Sequence, residues 1–444
     1  DLVPEFATIG IDSLKVEGRL KTVNYVYNVA RSYRAAIDNP SNIDEAKKWL
    51  EMDMGRKKTA YFLGEDVSDT QTTHTQTGIE IGQVVKTQNA KLWFTSSIAL
   101  LKGDRIRIID TKNNPTTINI GEPTIENKSY VVEGNEIKAC KPCDPIFLIS
   151  RKEEKIKGIS EIKVNGEFKT LPQEQKSRML KSLQPENQRN NKINRLQFYV
   201  RIATLNWLKK NHLSDATGIL LQLAAKELIN INFGTSFIKN QIDKIYLELP
   251  LFIAEDNLNS WQEIIDKARK NGIKKFVINH LSQIAFFKPG DYVITGENVY
   301  TFNDAAIKLL QKHNIQNWIY PLESDMENLK SYRNKTGILP IYFKPRLFTS
   351  RMPAKVNPEA AFTDDYKLKL RYVKAGNLNY TIPENPVSFT QFVKNIKTMG
   401  FNQLLIDLSF ENPLDGKFQE IVRNAITSKS IQPTHNFNIK NKLT

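Results

Sequence analysis

Charged residues near the start of the chain occupy positions where they could take part in chemistry. Residues 13–17 alternate polar and apolar side chains, which predicts a strand with Lys15 and Glu17 on its polar face. Gly18 permits a tight turn, and apolar residues recur every three to four positions over 23–37, which predicts a helix. A strand, a glycine and a helix form one βα unit. In barrels of such units the carboxyl ends of the strands carry the functional site.

Four charged residues around this turn are candidates for such a site. Lys15, Glu17 and Arg19 are candidate catalytic residues, and Lys21 is a candidate substrate-binding residue. Backbone N–H groups at the start of the following helix favour anions, and the charges of Arg19 and Lys21 strengthen that preference. The same residues could equally form a structural ion-pair cluster at the rim of a sheet. Their spacing alone leaves both interpretations open.

This stretch also carries a family resemblance. The segment Ser13-Leu-Lys-Val-Glu-Gly-Arg-Leu-Lys21, followed by Tyr33-Arg-Ala-Ala-Ile-Asp38, resembles the signature that closes the first domain of the collagenase-like U32 peptidase family. Later parts of the chain are similar to the long bacterial members more loosely. The resemblance implies a functional barrel that lies mostly upstream of this signature. We therefore expect the chain to be the carboxyl-terminal portion of a longer protein.

The resemblance leaves two functions open for the full-length protein. The first is a peptidase whose active site, completed by Lys15, Glu17 and Arg19, lies mostly before residue 1. The alternative is an iron-sulfur enzyme that hydroxylates RNA with prephenate as the oxygen source, for which this chain would be the substrate-binding region. In either case this segment alone is expected to be inactive. Motifs of zinc proteases, serine hydrolases and phosphate loops do not occur in it.

Cysteine usage limits the cofactors that this chain could hold. Its only cysteines are Cys140 and Cys143, in the sequence Cys-Lys-Pro-Cys. Two thiols cannot supply all four ligands of a structural zinc or iron-sulfur site. An inert pair, a metal half-site and a redox pair stay open for them, and no metal site is predicted here. The resemblance implies that the cysteines of any cluster precede residue 1.

The charge of the chain bears on its partners. Its 444 residues include 63 Lys and Arg against 48 Asp and Glu, a formal net charge of +15. Such an excess favours polyanions such as RNA, although abundant Lys, Asn and Ile are also typical of AT-rich genomes. The predicted partner is a protein or structured RNA substrate, and the oligomeric state stays open. No apolar run approaches the roughly 18 residues of a membrane helix, so no membrane partner and a cytoplasmic location are expected.

The order of sequence patterns predicts an α/β protein with an inserted small all-β barrel. The chain begins with the last βα unit of a TIM-like barrel. After it, short strands with period two and turn residues between them indicate a β-barrel of six strands. A basic connector and a second, partial (β/α) barrel follow. The predicted regions are the end of the first barrel at 1–38, a helix and linker at 39–76, the small β-barrel at 77–150, the connector at 151–192, the second barrel at 193–435 and a frayed tail at 436–444.

The second barrel is predicted from a repeated design. Helical patterns end at a small or turn residue, and a short apolar strand follows. Gly272, Asn314 and Gly400 occupy this position, as does Gly10 at the start of the chain. Repeated βα units imply a parallel sheet with helices outside it.

Polar residues end or follow the strands predicted for the second barrel. The resemblance implies a degenerate copy of the family barrel in which the asparagine before a helix, Asn303, and the glutamate after the fifth strand, Glu323, lie at the barrel mouth. Both are candidate substrate-binding residues. A general acid or base is conceivable, but strand ends are polar in any barrel, so structural use stays open. The full set of such residues is Glu248, Asn279, His280, Asn303 and Glu323.

Basic residues follow another predicted strand, Leu339-Pro-Ile-Tyr-Phe343. Arg346, Arg351 and Lys355 would form a basic lip suited to carboxylate or phosphate, since arginine binds these groups through paired N–H donors. Arg346 and Arg351 are therefore the remaining candidate substrate-binding residues.

Overall fold

The chain folds into two compact units, residues 1–168 and 169–444, in a computed structural model. Helices and strands occur in both units, so the predicted mixed α/β class is confirmed. The boundary between the units falls within the predicted connector. The structure describes residues 1–18, 23–51, 63, 78–111, 114–134, 137, 140–151, 170–184, 195–209, 213–315, 317–351, 357, 360–364, 367–375, 378–413 and 416–440.

The described residues of the first unit form three α-helices followed by seven strands. The helices are α1 (Val3–Thr8), α2 (Val23–Asp38) and α3 (Ile43–Glu51). The strands are β1 (Ile79–Gln88), β2 (Lys91–Phe94), β3 (Arg105–Ile109), β4 (Pro115–Asn119), β5 (Thr124–Glu126), β6 (Ser129–Glu133) and β7 (Pro145–Ser150).

The opening βα unit forms only in part. The strand predicted at 13–17 is wrong, because residues 11–18 pair with no described strand. A strand needs a paired neighbour to satisfy its backbone groups, and Val16, expected on the buried face, is 46% exposed. The predicted helix is present as α2, although its buried residues are Val29, Ser32 and Ala36 rather than the predicted apolar stripe.

The seven strands form one antiparallel sheet in the order β4-β3-β7-β1-β2-β6-β5. Tight hairpin turns shape it: Asn89 and Ala90 between β1 and β2 both have positive φ, as two-residue turns of this kind require. The sheet has one strand more than predicted, the short β5. Among the described residues, β4 and β5 do not pair with each other, so the predicted closed barrel is not confirmed.

The second unit combines a parallel sheet with helices and a small antiparallel sheet. Its helices are α4 (Gln173–Ser182), α5 (Asn206–Lys209), α6 (Ala225–Asn230), α7 (Ser236–Lys239), α8 (Leu258–Lys270), α9 (Asp304–Lys312), α10 (Met326–Ser331), α11 (Val393–Thr398) and α12 (Lys417–Thr427). Its strands are β8 (Gln197–Ile202), β9 (Gly218–Leu221), β10 (Ile245–Glu248), β11 (Lys275–Ile278), β12 (Tyr292–Thr295), β13 (Ile338–Phe343), β14 (Phe348–Ser350), β15 (Phe362–Thr363), β16 (Lys369–Ala375), β17 (Leu378–Pro383), β18 (Val387–Ser388) and β19 (Gln403–Asp407).

The large sheet curls back on itself. Parallel pairing runs from β12 through β11, β10, β9, β8 and β19 to β13, and β18 adds an antiparallel edge at β13. Residues 318 and 319 join the two ends: Trp318 forms a parallel bridge with Thr295 of β12, and Ile319 with Ile338 of β13. Parallel pairing therefore passes around a ring of eight segments.

Side chains on the two faces of this ring form separate cores. One apolar residue from each of the eight segments belongs to a small cluster: Tyr199, Leu220, Tyr246, Val277, Ile294, Ile319, Ile338 and Leu405. Their strand neighbours, such as Val200 and Phe276, belong to a larger cluster with helix residues such as Ile264 and Ile307. Successive side chains of a strand point to opposite faces, so the small cluster fills the ring and the helices pack on its outer face.

The repeated helix ends are confirmed. Gly272, Asn314 and Gly400 all have φ in the left-handed region, and each lies a few residues before a segment of the ring. Gly10 has the same conformation after α1, but residues 11–18 that follow it form no strand.

The end of the chain packs more firmly than predicted. Ile439 is buried in the core, and its carbonyl accepts a hydrogen bond from Met326 N at 3.1 Å. Residues 436–440 thus belong to the second unit because an apolar side chain anchors them, whereas 441–444 lie outside the described residues.

Candidate functional site

Four charged residues meet at the carboxyl ends of the parallel strands. Arg201 lies near the end of β8, Glu248 ends β10, Asp407 ends β19, and Glu297 comes two residues after β12. We call these four residues the mouth cluster. The side chains of Arg201 and Glu248 are only 5% and 1% exposed. Charged side chains this deeply buried need partners.

Arg201 forms hydrogen bonds with all three carboxyl groups. Its Nε donates to Glu248 Oε2 at 2.8 Å, and its Nη2 donates to Glu297 Oε2 at 2.7 Å. Nη1 donates to Glu297 Oε1 at 3.0 Å and to Asp407 Oδ2 at 3.2 Å. The planar guanidinium is suited to this task because its N–H donors diverge in fixed directions. One cation therefore faces three carboxyl groups.

The uneven charge shifts the pKa values of the mouth cluster. Burial disfavours the charged guanidinium, but Glu248, Glu297 and Asp407 together raise the pKa of Arg201 above its ordinary value. Burial raises the pKa of Glu248, and Arg201 offsets this only in part. Burial acts in the same sense on Glu297, but the attraction and hydrogen bonds of Arg201 prevail and lower its pKa. Two carboxyl groups beside one cation are thus pushed in opposite directions, as in sites that separate acid from base roles.

Side-chain amides fix the orientation of Glu248. Asn279 Nδ2 donates to Glu248 Oε1 at 3.1 Å and to the carbonyl of Leu249 at 2.8 Å. Asn298 in turn donates to Asn279 Oδ1 at 2.9 Å. Gly296 makes room for this arrangement, since a Cβ there would lie 2.1 Å from Asn279 Oδ1. The predicted pair Glu248 and Asn279 is therefore brought together.

Basic residues follow β13 beside aromatic rings. Lys344 Nζ donates to the carbonyl of Glu384 at 2.7 Å and lies 4.9 Å from the Phe410 ring centre. Partial burial lowers the pKa of Lys344. The guanidinium of Arg346 stacks 4.4 Å from the ring centre of Tyr380. Burial raises the pKa of Glu297, Arg201 lowers it, and Arg346 adds to this lowering. Arg346 therefore lies within electrostatic reach of the mouth cluster, as a basic lip requires.

The other residues predicted for the mouth have local partners. Asn303 is the N-cap of α9 and accepts a hydrogen bond from Ala306 N at 3.0 Å. Glu323 accepts one from the hydroxyl of Tyr300 at 2.8 Å, and His280 caps a short 3-10 turn.

Arg351 lies 5.5 Å from the ring centre of Phe252, and Lys355 lies outside the described residues. The substrate-binding roles of Asn303, Glu323, Arg346 and Arg351 stay predictions.

Lys15 and Glu17 lie on the surface of the first unit. Lys15 Nζ pairs with Glu17 Oε1 at 2.9 Å, and their side chains are 83% and 49% exposed. Ion pairs this exposed contribute little to stability. Arg19 and Lys21 lie outside the described residues. The catalytic role of the first three and the binding role of Lys21 stay predictions.

Sequence reasoning missed three members of the mouth cluster: Arg201, Glu297 and Asp407. A signal was present for two of them. Arg201 interrupts the apolar run Phe-Tyr-Val-Arg-Ile, and Asp407 ends Leu-Leu-Ile-Asp. Buried parallel strands are continuous apolar runs, so a charge within or ending such a run indicates a paired or functional residue.

The two cysteines do not fit an iron-sulfur cluster held by this chain alone. Cys140 is buried, which raises the pKa of its thiol, whereas Cys143 is exposed. Two thiols leave half of the four ligands of a cluster unfilled. Among the described residues, no three His, Cys, Asp or Glu side chains are grouped to hold a metal ion. No described helix has the length and apolar character needed to span a bilayer.

Comparison with known proteins confirms the resemblance of the opening segment. Residues 1–73 match the family model of peptidase family U32. A similar protein is tRNA hydroxylation protein P1 of Bacillus subtilis (strain 168), 29% identical over 175 residues. The match covers 34% of this chain and 38% of that relative, so the chain spans well under half of the relative's length.

Proposed function

We propose that this chain is the substrate-binding part of a U32-family enzyme that hydroxylates tRNA. The observation that carries the proposal is the similarity to a protein named for tRNA hydroxylation. The net charge of +15 supports it, since a long-range positive field attracts a polyanion. The iron-sulfur cluster and prephenate of the proposed reaction would be held by residues outside this chain, and no step is assigned to the two cysteines.

The geometry of the second unit suits a binding role. We assign its ring of eight parallel segments to a second copy of the family's (β/α) barrel, and residues 1–38 to the end of the first copy. In this proposal Lys344 and Arg346 contact phosphate at the mouth. The carboxylates of Glu297 and Asp407 accept hydrogen bonds from ribose hydroxyls or base amino groups. The excess of acid at the centre of the mouth cluster keeps phosphate at the lip.

Proteolysis is the competing function, and the name of the matched family favours it. The similar protein favours hydroxylation over proteolysis, because it is named for tRNA hydroxylation.

The test uses the full-length protein and its host. Nucleosides from the tRNA of a deletion strain are compared by mass spectrometry with those of the parent and of a strain complemented with the intact gene. We expect a hydroxylated nucleoside to disappear on deletion and to return on complementation. Purified full-length protein should leave casein and gelatin intact. Unchanged tRNA nucleosides together with hydrolysis of either protein would establish the peptidase instead.

A further inference from the structure

A small antiparallel sheet follows β13 at the carboxyl end of the parallel ring. It contains strands β14 to β17 in the order β14-β17-β16-β15 and precedes β18, where the chain returns to β13. We call it the inserted sheet. Arg346, directly before it, stacks on Tyr380 of β17, and Arg371 of β16 pairs with Glu384 at 2.9 Å. The inserted sheet is therefore linked to the basic lip.

The register of the inserted sheet places three aromatic side chains on one face. Phe348 of β14 is opposite Thr381 of β17, and Thr381 is opposite Tyr372 of β16. Phe362 of β15 is opposite Leu370, two residues before Tyr372. Directly opposite residues share a face, as do residues two apart, so Phe348, Tyr372 and Phe362 share one face of the inserted sheet.

Two of these aromatic residues are open to solvent. Phe348 is 70% exposed and Phe362 is 39% exposed, while Tyr372 is half-buried. Leaving apolar rings in water gives up the free energy that their burial would provide. Leu370 on the same face is buried, so the open rings are those of the edge strands β14 and β15. Exposed aromatic rings at the edges of one face are available to a partner.

Positive charge surrounds this aromatic face. Lys374 shares the face, Lys369 and Arg371 lie on the other face of β16, and Lys367 precedes that strand. Within the described residues, none of the three lysines forms an ion pair. Aromatic rings supply stacking platforms for any base, and lysines neutralise the phosphates between them. A peptide would use the rings but would not explain the excess of cations.

We propose that the inserted sheet binds single-stranded RNA, with bases stacked on Phe348, Tyr372 and Phe362 and a phosphate on Lys374. This inference rests on the proposed function and narrows its substrate to an unpaired segment of RNA. Bases in a duplex are stacked on each other and are closed to such a surface, whereas loop bases can stack on protein rings. The nearby lip would receive the neighbouring nucleotide.

The experiment measures binding of a fluorescein-labelled oligouridine and of a matched RNA duplex to this chain by anisotropy. In the variant Phe348→Ala/Phe362→Ala we expect affinity for the single strand to fall by about tenfold or more, because each stacked base contributes strongly to affinity. Lys374→Ala should reduce the slope of log affinity against log salt by about 0.7. The duplex should bind more weakly and should respond only to Lys374→Ala.

Matched controls use the opposite end of the parallel ring. Tyr292→Ala removes a 41% exposed aromatic ring at the start of β12, and Lys270→Ala removes an exposed lysine at the end of α8. Both should bind the oligouridine as the unchanged chain does. Thermal melting monitored by circular dichroism confirms that each variant is folded.

Two results would overturn the inference: unchanged affinity of the aromatic double variant, or no binding of the single strand by the unchanged chain. Capture of peptides that depends on the rings but not on the lysines would assign the sheet to a protein partner. The nucleoside comparison in the deletion strain separates these failures from failure of the proposed function. If hydroxylation depends on the gene but the aromatic double variant restores it fully, only the role of the inserted sheet is wrong.

Discussion

Two groups of charged residues invite a functional interpretation, and they differ in how far they are exposed to solvent. Residues 13–17 carry a family resemblance, and yet Lys15 and Glu17 pair on an exposed surface. The mouth cluster carries no motif, and yet Arg201 and Glu248 are almost completely buried. Water screens the first pair, whereas the low effective dielectric around the second strengthens each interaction several-fold. A conspicuous sequence pattern and a perturbed electrostatic environment are therefore found in different parts of this chain.

A match to a family and a buried charge carry different information. A matching segment reports common ancestry, and its chemistry depends on the residues that surround it. A buried charge reports a local free energy that must be balanced within the fold itself. The mouth cluster can therefore be tested by stability measurements, while a chemical role of Lys15 and Glu17 needs an activity measurement.

The largest expected effect follows from removing the cation of the mouth cluster. Arg201→Met leaves Glu248, Glu297 and Asp407 in the interior without their shared partner. Breaking a buried ion pair from one side costs about 3–5 kcal/mol of unfolding free energy. We expect urea unfolding to show a loss of this size, with faster hydrogen exchange in β8 and β10.

If Arg201→Met does not fold, a second variant still tests this prediction. Adding Glu248→Gln and Asp407→Asn to Arg201→Met removes two of the stranded charges and should recover part of the loss. A loss below about 1 kcal/mol in Arg201→Met is the size expected for an exposed ion pair. The mouth cluster would then contribute no more to the unfolding free energy than the pair Lys15 and Glu17.

The parallel sheet was predictable to a large extent, and the mouth cluster only in part. Gly272 and Gly400 mark helix ends because left-handed φ favours glycine, and the apolar runs after them can only be buried strands. The strand at 13–17 failed because alternation alone supplies no partner for pairing. Glu297 could not be found because it follows β12 in a short 3-10 turn, and only the curl of the sheet brings it to Arg201.

The pH dependence of stability sharpens the comparison further. Glu248 has a pKa raised above 4.5, so its contribution is fully present below pH 4.5 and is lost as pH rises through the folded pKa. Glu297 has a lowered pKa, so its contribution is present above pH 4.5 and is lost as pH falls through the folded pKa. The two contributions oppose each other in the unchanged chain.

Glu248→Gln should therefore make unfolding free energy fall more steeply on acidification from neutral pH. Glu297→Gln should do the reverse, because only the group with the raised pKa then remains. The slopes are measured by urea unfolding at a series of pH values. The difference is of order 1 kcal/mol, since one unit of pKa shift corresponds to about 1.4 kcal/mol. Parallel curves for both variants would contradict the assigned pKa directions.

The smallest expected change in stability is at the exposed pair. Glu17→Gln should alter unfolding free energy by less than about 1 kcal/mol, as should the control Glu5→Gln in α1. If Glu17 contacts the transition state, the same change in the full-length protein should reduce tRNA hydroxylation by at least about tenfold, since a charge-assisted contact contributes roughly 1.5–3 kcal/mol. Glu5→Gln should keep full activity. Full activity in Glu17→Gln would mean that neither stability nor catalysis depends on this charge. The match of this segment to the family model would then indicate common ancestry alone.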